Sequence, residues 1–237
     1  DGLACSFTAS ALKGTDSFEA TFTPAVSGAA SSGALVYEWN FGDGSAPVTA
    51  SSATSVSHTF AYPDTTYGVK TVTLTVGAAG GTPAASFARA VTLAPARVYA
   101  ANGNAAAAYP YATPETAAPN IQTAVNAAFD GSEVIVLPSA NNYNLSSTLV
   151  IDKDITLTGA SGDFHDVVIN GNPQNNTSRR TMLITARHAL VQNVTIRRGR
   201  GGSNVHSTRG ASVFMTGSEL RNCRVTEASV SDGNIAH

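Results

Sequence analysis

Charge is the first thing this sequence has little of. Asp, Glu, Lys and Arg together make 13% of its 237 residues, Lys is scarce, and the net charge is −2. A general nucleic-acid partner is excluded on that balance. No apolar run approaches the ~18 residues of a membrane span. No signal peptide is present, as in a mature secreted chain that has lost one. Cysteine is limited to Cys5 and Cys223. These fall in segments read as different domains, so no disulfide joins them. Cys223 takes an inward strand position as a small buried hydrophobe, and Cys5 is a strand residue. Against these shortages, 43% of the residues are hydrophobic, enough for a real core, and Gly, Ala, Ser and Thr abound. That is the balance of a β-rich extracellular chain. The length suits two domains, or one long one. The charge is also uneven: residues 101–150 carry no basic group, while residues 151–237 hold ten, nine of them Arg.

Residues 1–95 divide into short strands between turn signals, the mark of a β-sandwich. The strands expected are LACSFTAS, SFEATFTP, LVYEWNFG, SVSHTF, VKTVTLTV and SFARAVTLA. Tyr37, Trp39 and Phe41 alternate with Val36, Glu38 and Asn40, so three aromatics share one face. Val72, Leu74 and Val76 do the same. Burying each of these six side chains contributes about 1.5–3 kcal/mol. Gly42, Asp43 and Gly44 make a tight turn that needs positive φ.

YEWNFGDGS from Tyr37, HTF from His58 and TVTLTV from Thr71 resemble the PKD domain, an immunoglobulin-like sandwich. One departure from that family's pattern is YGVK at Tyr67, where a Gly-x-Tyr normally leads into the TVTLTV strand; a longer or bulged approach is expected there. The resemblance implies a spacer or binding module of secreted and surface proteins, without catalysis of its own. Some members bind calcium near their termini. Asp43 is the residue to weigh as a calcium ligand, against its plainer reading as a turn residue. His58 reads as a hydrogen-bonded structural residue ahead of a strand.

Residues 96–237 begin with the strand ARVYA and an ordered loop or linker over residues 101–119, rich in Ala, Asn and Pro. A helix follows, with Asn120 as N-cap. Ile121, Ala124, Val125, Ala128 and Phe129 share its inner side, and Gly131 ends it. EVIVLP has no polar alternation and is expected to be buried on both faces. Beyond it, KDITLTG, QNVTIRRG and RNCRVTEA repeat one pattern. Asp154, Asn193 or Asn222 leads, and an apolar, a polar and an apolar residue follow. Asx residues tolerate left-handed backbone, and the apolar pairs point to one face, so the three leaders are expected to stack at one bend. Self-similarity at some tens of residues points to a coil stacked on itself.

Helix, glycine and a VIV strand ending in Pro resemble the start of pectin-lyase-like right-handed parallel β-helices, whose helix caps the open end. The fold class expected is therefore all-β: a PKD-like sandwich over 1–95, then a helix-capped, truncated parallel β-helix over 96–237. The combination is similar to large bacterial surface proteins. The chain stops at DGNIAH without a capping segment, so it reads as the front end of a longer protein or as an end where another chain stacks.

Lyases on that fold use calcium held by clustered acids, with Arg or Lys as base, and hydrolases use clustered Asp. Neither pattern stands out here. Asp163 and Asp166, in a turn-rich loop around His165, are the best carboxylate pair, set against a solvated loop. The arginines say more. Arg197, Arg198 and Arg200 follow one strand, Arg209 and His206 lie in the glycine-rich loop beyond, and Arg221 and Arg224 belong to the next rung. A planar fork of donors suits carboxylates and sulfates, so Arg197, Arg198, Arg200, Arg209 and His206 are the candidate binding residues for an acidic polysaccharide. The plainer reading is solubilising charge, paired in part with Glu219 and Glu227. His188 is expected at a turn. The sequence thus points to an extracellular or cell-surface adhesion, scaffolding or glycan-binding protein, non-catalytic as it stands and without a cofactor unless calcium. The alternatives are the front part of a polysaccharide lyase or glycoside hydrolase, and a subunit that self-associates through the open β-helix end.

Overall fold

The computed structural model describes residues 2–28, 34–81, 83–171, 174, 179–201 and 212–230. The chain divides into two compact units, Asp1–Ala94 and Pro95–His237.

In the first unit the alternating segments form β1 (Ala4–Ala9), β2 (Lys13–Thr15), β3 (Ser17–Ser27), β4 (Leu35–Asn40), β5 (Val48–Ala50), β6 (Val56–Ala61), β7 (Gly68–Ala78) and β8 (Pro83–Ala94). They make a three-stranded sheet, β1-β3-β6, and a five-stranded sheet, β2-β8-β7-β4-β5. Every pairing is antiparallel except β2 with β8. Phe7, Phe22 and Phe60 from one sheet meet Trp39 and Phe41 from the other, and all five are buried. Phe7 approaches Trp39 edge-on at 5.2 Å between ring centroids, a favoured aromatic geometry. The face predicted for Tyr37, Trp39 and Phe41 is the buried one, as is that of Val72, Leu74 and Val76.

Two details differ from the sequence reading. β7 starts at Gly68 without a bulge, and an irregularity in its pairing with β8 falls at the other end, between Val76 and Gly77. Lys70 therefore takes an inward position in line with Val72, Leu74 and Val76 and is 8% exposed. Its ammonium donates to Thr66 Oγ1 at 3.0 Å, while its aliphatic stem fills the space an apolar residue would take. The second difference is His58, which lies inside β6 and not ahead of it. The turn at Gly42 came out as expected, with φ of 69°. A Cβ there would also lie 2.4 Å from the Thr71 carbonyl oxygen, so glycine is required twice over.

In the second unit the strands shorten to two to four residues. In chain order they are β9 (Arg97–Ala100), the helix α1 (Ile121–Ala127), β10 (Glu133–Val136), β11 (Tyr143–Asn144), β12 (Leu149–Ile151), β13 (Thr156–Gly159), β14 (Val168–Asn170) and β15 (Met182–Ile184). There follow β16 (Leu190–Gln192), β17 (Thr195–Arg197), β18 (Arg200–Gly201), β19 (Val213–Met215), β20 (Glu219–Arg221), β21 (Arg224–Thr226) and β22 (Ser229–Val230). The chain visits its sheets in rotation. The sheets run β9-β10-β13-β16-β20, β11-β14-β17-β21, β12-β15-β19 and β18-β22, and every pairing is parallel. Glu133, Thr156, Leu190 and Glu219 stack in register down the first sheet. Val134, Leu157, Val191, Ile151, Ile184, Ile169 and Ile196 point inward into one buried cluster. β10 buries only one face fully; Glu133 and Ile135 are half-buried.

The edge at β9 is covered. Ala118 N donates to Tyr99 O at 2.8 Å and Tyr99 N to Tyr111 O at 2.8 Å, so the Ala- and Pro-rich loop runs alongside β9. α1 buries Ile121, Ala124 and Val125, and Asn120 caps it by accepting from Thr123 N at 2.9 Å. From the same helix Gln122 stands in for a missing strand. Its Oε1 accepts from Val150 N at 2.8 Å and its Nε2 donates to Val150 O at 3.1 Å. The helix ends at Ala127, before Gly131, and Lys153 Nζ donates to carbonyls at that end: Val125 O at 3.1 Å, Asn126 O at 2.9 Å and Ala128 O at 2.7 Å.

The three repeat leaders do not share one bend. Asn193 and Asn222 do: they have φ of 59° and 46°, and Asn222 Nδ2 donates to Asn193 Oδ1 at 2.8 Å. The residue at their place one strand earlier in the sheet is Gly159, where a Cβ would lie 2.2 Å from Asn193 O. Asp154 sits at the opposite end of the first sheet, before β13, and its Oδ1 accepts from the Arg187 and His188 amides at 3.0 and 2.8 Å. The pattern Asx-apolar-polar-apolar thus arises at two corners for two reasons: left-handed backbone at Asn193 and Asn222, amide capping at Asp154. Their inward pairs also differ in burial. Ile155, Leu157, Val194 and Ile196 are buried, Cys223 is half-buried ahead of β21, and Val225 is 47% exposed.

Candidate functional site

The arginines cluster because of strand register. Val168, Thr195 and Arg224 stack at one outward position of the four-stranded sheet, and Asn170, Arg197 and Thr226 at the next. Arg198 and Glu227 follow at the corner, one rung apart, with φ of 58° and 55°. Glu227 bridges the arginines. Its Oε2 accepts from Arg198 Nε at 2.7 Å and its Oε1 lies 3.4 Å from Arg197 Nη1. The Arg198 hydrogen bond, reinforced by the charges of Arg197, Arg198 and Arg224, holds its carboxyl below the usual carboxylate range.

The loop between β13 and β14 overhangs this face. It is tied down where Thr195 Oγ1 donates to Phe164 O at 2.9 Å and Asn222 Nδ2 to Gly162 O at 3.0 Å. Phe164 and His165 lie ring against ring at 4.1 Å. Asp163 accepts from the His165 amide and ring at 2.9 and 2.7 Å, which holds its carboxyl below the usual range too. Between loop and sheet is a cleft of about 260 Å³ lined by His165, Val168, Thr195, Arg197, Arg224 and Glu227. Such a space offers guanidinium forks, hydroxyls and the His165 ring, groups suited to an anion.

Of the residues singled out in the sequence, Arg197 and Arg198 come together. Arg200 lies past the corner in β18, where its amide donates to Arg179 O at 2.8 Å. His206 and Arg209 lie outside the described residues. Arg221 pairs with Glu219 at 3.0 Å on the five-stranded sheet, away from the group. Arg224 takes its place through the register Val168–Thr195–Arg224, and His165 through the loop tied to Thr195. Arg179, unremarked in the sequence, ties a corner: its guanidinium donates to Gly171 O, Leu145 O and Ser146 O.

A second cleft, about 320 Å³, lies in the sandwich beside Asp43, Ser45, His58, Asp64 and Thr65. Asp43 Oδ1 accepts from Ser45 Oγ at 2.6 Å, and Asp43 Oδ2 lies 2.6 Å from His58 Nε2. His58 stacks on Phe41 at 3.8 Å. The carboxylate lies between serine and histidine, so the imidazole cannot take the serine proton and no nucleophile relay exists. Burial pushes the Asp43 carboxyl up, but the bonds from Ser45 and His58 outweigh it and leave it below the usual range. The arrangement locks the Gly42–Gly44 turn, as the turn reading of Asp43 and the structural reading of His58 anticipate.

Among the described residues, no helix is long and apolar enough to cross a membrane and no group of three or more His, Cys, Asp or Glu is placed to hold a metal ion. No curated protein and no solved structure matches the chain. Residues 8–93 match the family model of the PKD domain, so the sandwich of the first unit is a PKD β-sandwich, a type found in extracellular and surface proteins.

Proposed function

We propose that this chain is an extracellular or cell-surface adhesion scaffold, in which a PKD sandwich is joined to the helix-capped first rungs of a right-handed parallel β-helix of the pectin-lyase type. The observation that carries the reading is the use made of six carboxylates in the second unit. Asp130 Oδ1 accepts from Asp154 N at 2.9 Å, Asp154 caps the Arg187 and His188 amides, and Asp163 caps its own loop. Glu133 pairs with Arg97 at 3.3 Å, Glu219 with Arg221, and Glu227 with Arg197 and Arg198. Acids spent on turns and ion pairs hold a coil together. A lyase or hydrolase needs them converging on a sugar.

The parallel sheets visited in rotation, the covered first edge and the inward ladder support the β-helix reading. The cleft at Arg197 and Arg224 favours a contact with acidic polysaccharide as the adhesive function. Incubating the protein with pectate, alginate, sulfated glycans and neutral glucans tests both points. Salt-sensitive retention by the acidic polymers, without new reducing ends or unsaturated uronides, is the expected result. Release of either product would replace the scaffold with an enzyme, and equal retention by neutral glucans would remove the arginine cleft as the contact.

A further inference from the structure

Glu227 is an odd residue for its place. Left-handed backbone is uncommon for a residue other than Gly, Asn or Asp, and outliers of this kind mark positions where function outweighs comfort. Here two stand one above the other: Arg198 at φ 58° and Glu227 at φ 55°. The corner directs the Glu227 carboxylate back over the preceding rung, where each of its oxygens is taken by a different arginine. Arg224, in the same rung as Glu227, shares the cleft with Arg197. Arg197 Nε, moreover, is a buried donor without a hydrogen-bond partner among the described residues.

This carboxylate does what a bound anion would do. The Arg197, Arg198 and Glu227 side chains are 24%, 39% and 43% exposed. Ion pairs this open to water contribute little, so opening them costs little. A compact anion that meets only Arg197 and Arg198 gains little that Glu227 does not already supply. A ligand with neighbouring charges reaches Arg224 as well as the Arg197 and Arg198 pair, which one carboxylate cannot do.

Resting on the acidic-glycan reading of the cleft, we propose that Glu227 is a built-in competitor: its carboxylate holds Arg197 and Arg198 in the free protein, and an anionic saccharide with neighbouring charges takes its place. Glu227 then sets the charge density a ligand must bring.

The test uses the whole chain and two probes, a short oligogalacturonate and inorganic sulfate, titrated calorimetrically at low salt. Glu227→Gln keeps the side chain's size and removes its charge. Glu227→Asn suits the left-handed backbone and serves as a second variant. Both are expected to bind the oligogalacturonate about two- to fivefold more tightly than the wild type, the range an exposed ion pair supplies. Sulfate is expected to bind the variants and not the wild type. The Arg198 Nε–H resonance of the wild type should move on saturation toward its position in Glu227→Gln. Equal affinity of wild type and both variants overturns the competitor and leaves the glycan cleft standing. Absence of oligogalacturonate binding in all three removes the cleft reading itself.

Discussion

Replacing Lys153 with Met tests how the second unit closes the end of its helix. The helix is seven residues long, so its terminal carbonyls are a large share of its backbone acceptors. Three carbonyls at its C-terminal end accept from one ammonium, at 2.7–3.1 Å. The same charge lies 5.8 Å from the Phe129 ring centroid. A hydrogen bond to a charged group is worth about 1.5–3 kcal/mol, and a cation at a helix C-terminus about 0.3–1 kcal/mol. Water reaches part of this site and replaces some of the lost bonds, so the full sum is not expected. Met keeps the stem and removes the donors, and the net loss should be about 2–3 kcal/mol. With a urea slope of about 2–3 kcal/mol/M, the midpoint of the second unit falls by about 1 M. Far-UV circular dichroism follows that transition, while the fluorescence of Trp39, the single tryptophan, follows the sandwich. A loss under about 0.5 kcal/mol, the scale of an ordinary surface substitution, would refute the capping argument.

Two further outcomes are expected. Trp39→Ala should cost about 3–5 kcal/mol and unfold the sandwich while the second unit keeps its circular dichroism. Trp39→Phe should cost less, since Trp39 Nε1 has no partner among the described residues; a single shared transition lowered as a whole would contradict independent units. Asp43 links the sandwich to pH. Its folded carboxyl lies below the ordinary value of 3.8, so its contribution is complete above that value and is lost as pH falls through the folded one. Trp39 fluorescence should therefore show stability dropping below about pH 4, and Asp43→Asn, less stable at neutral pH, should flatten that part of the curve; an unchanged acid limb would show that other carboxylates set it.

What the sequence determined by itself was local. Period-two alternation located the first-unit strands at Leu35–Asn40 and Gly68–Ala78, because side chains in a strand face opposite sides and only one side here is apolar. Asn120 announced its helix, since an N-cap acts within three residues. Strands as short as β2 and β5 leave too few residues for alternation to register, and neither was foreseen. The tertiary structure decided whatever depends on register between distant segments. Asp154 and Asn193 look alike in sequence, yet the parallel sheets put them at different corners, where one caps amides and the other turns the backbone left-handed. Arg197 and Arg221 both precede or end short strands, but parallel stacking sends one to a cleft with Arg224 and the other to a neighbouring sheet. Lys153, Gln122 and Arg179 act on backbone groups more than twenty residues away or across a corner, and no pattern within a window records such a partner. Parallel strands that return to the same sheets take their neighbours from the lengths of the segments between them, and those lengths vary with the loops.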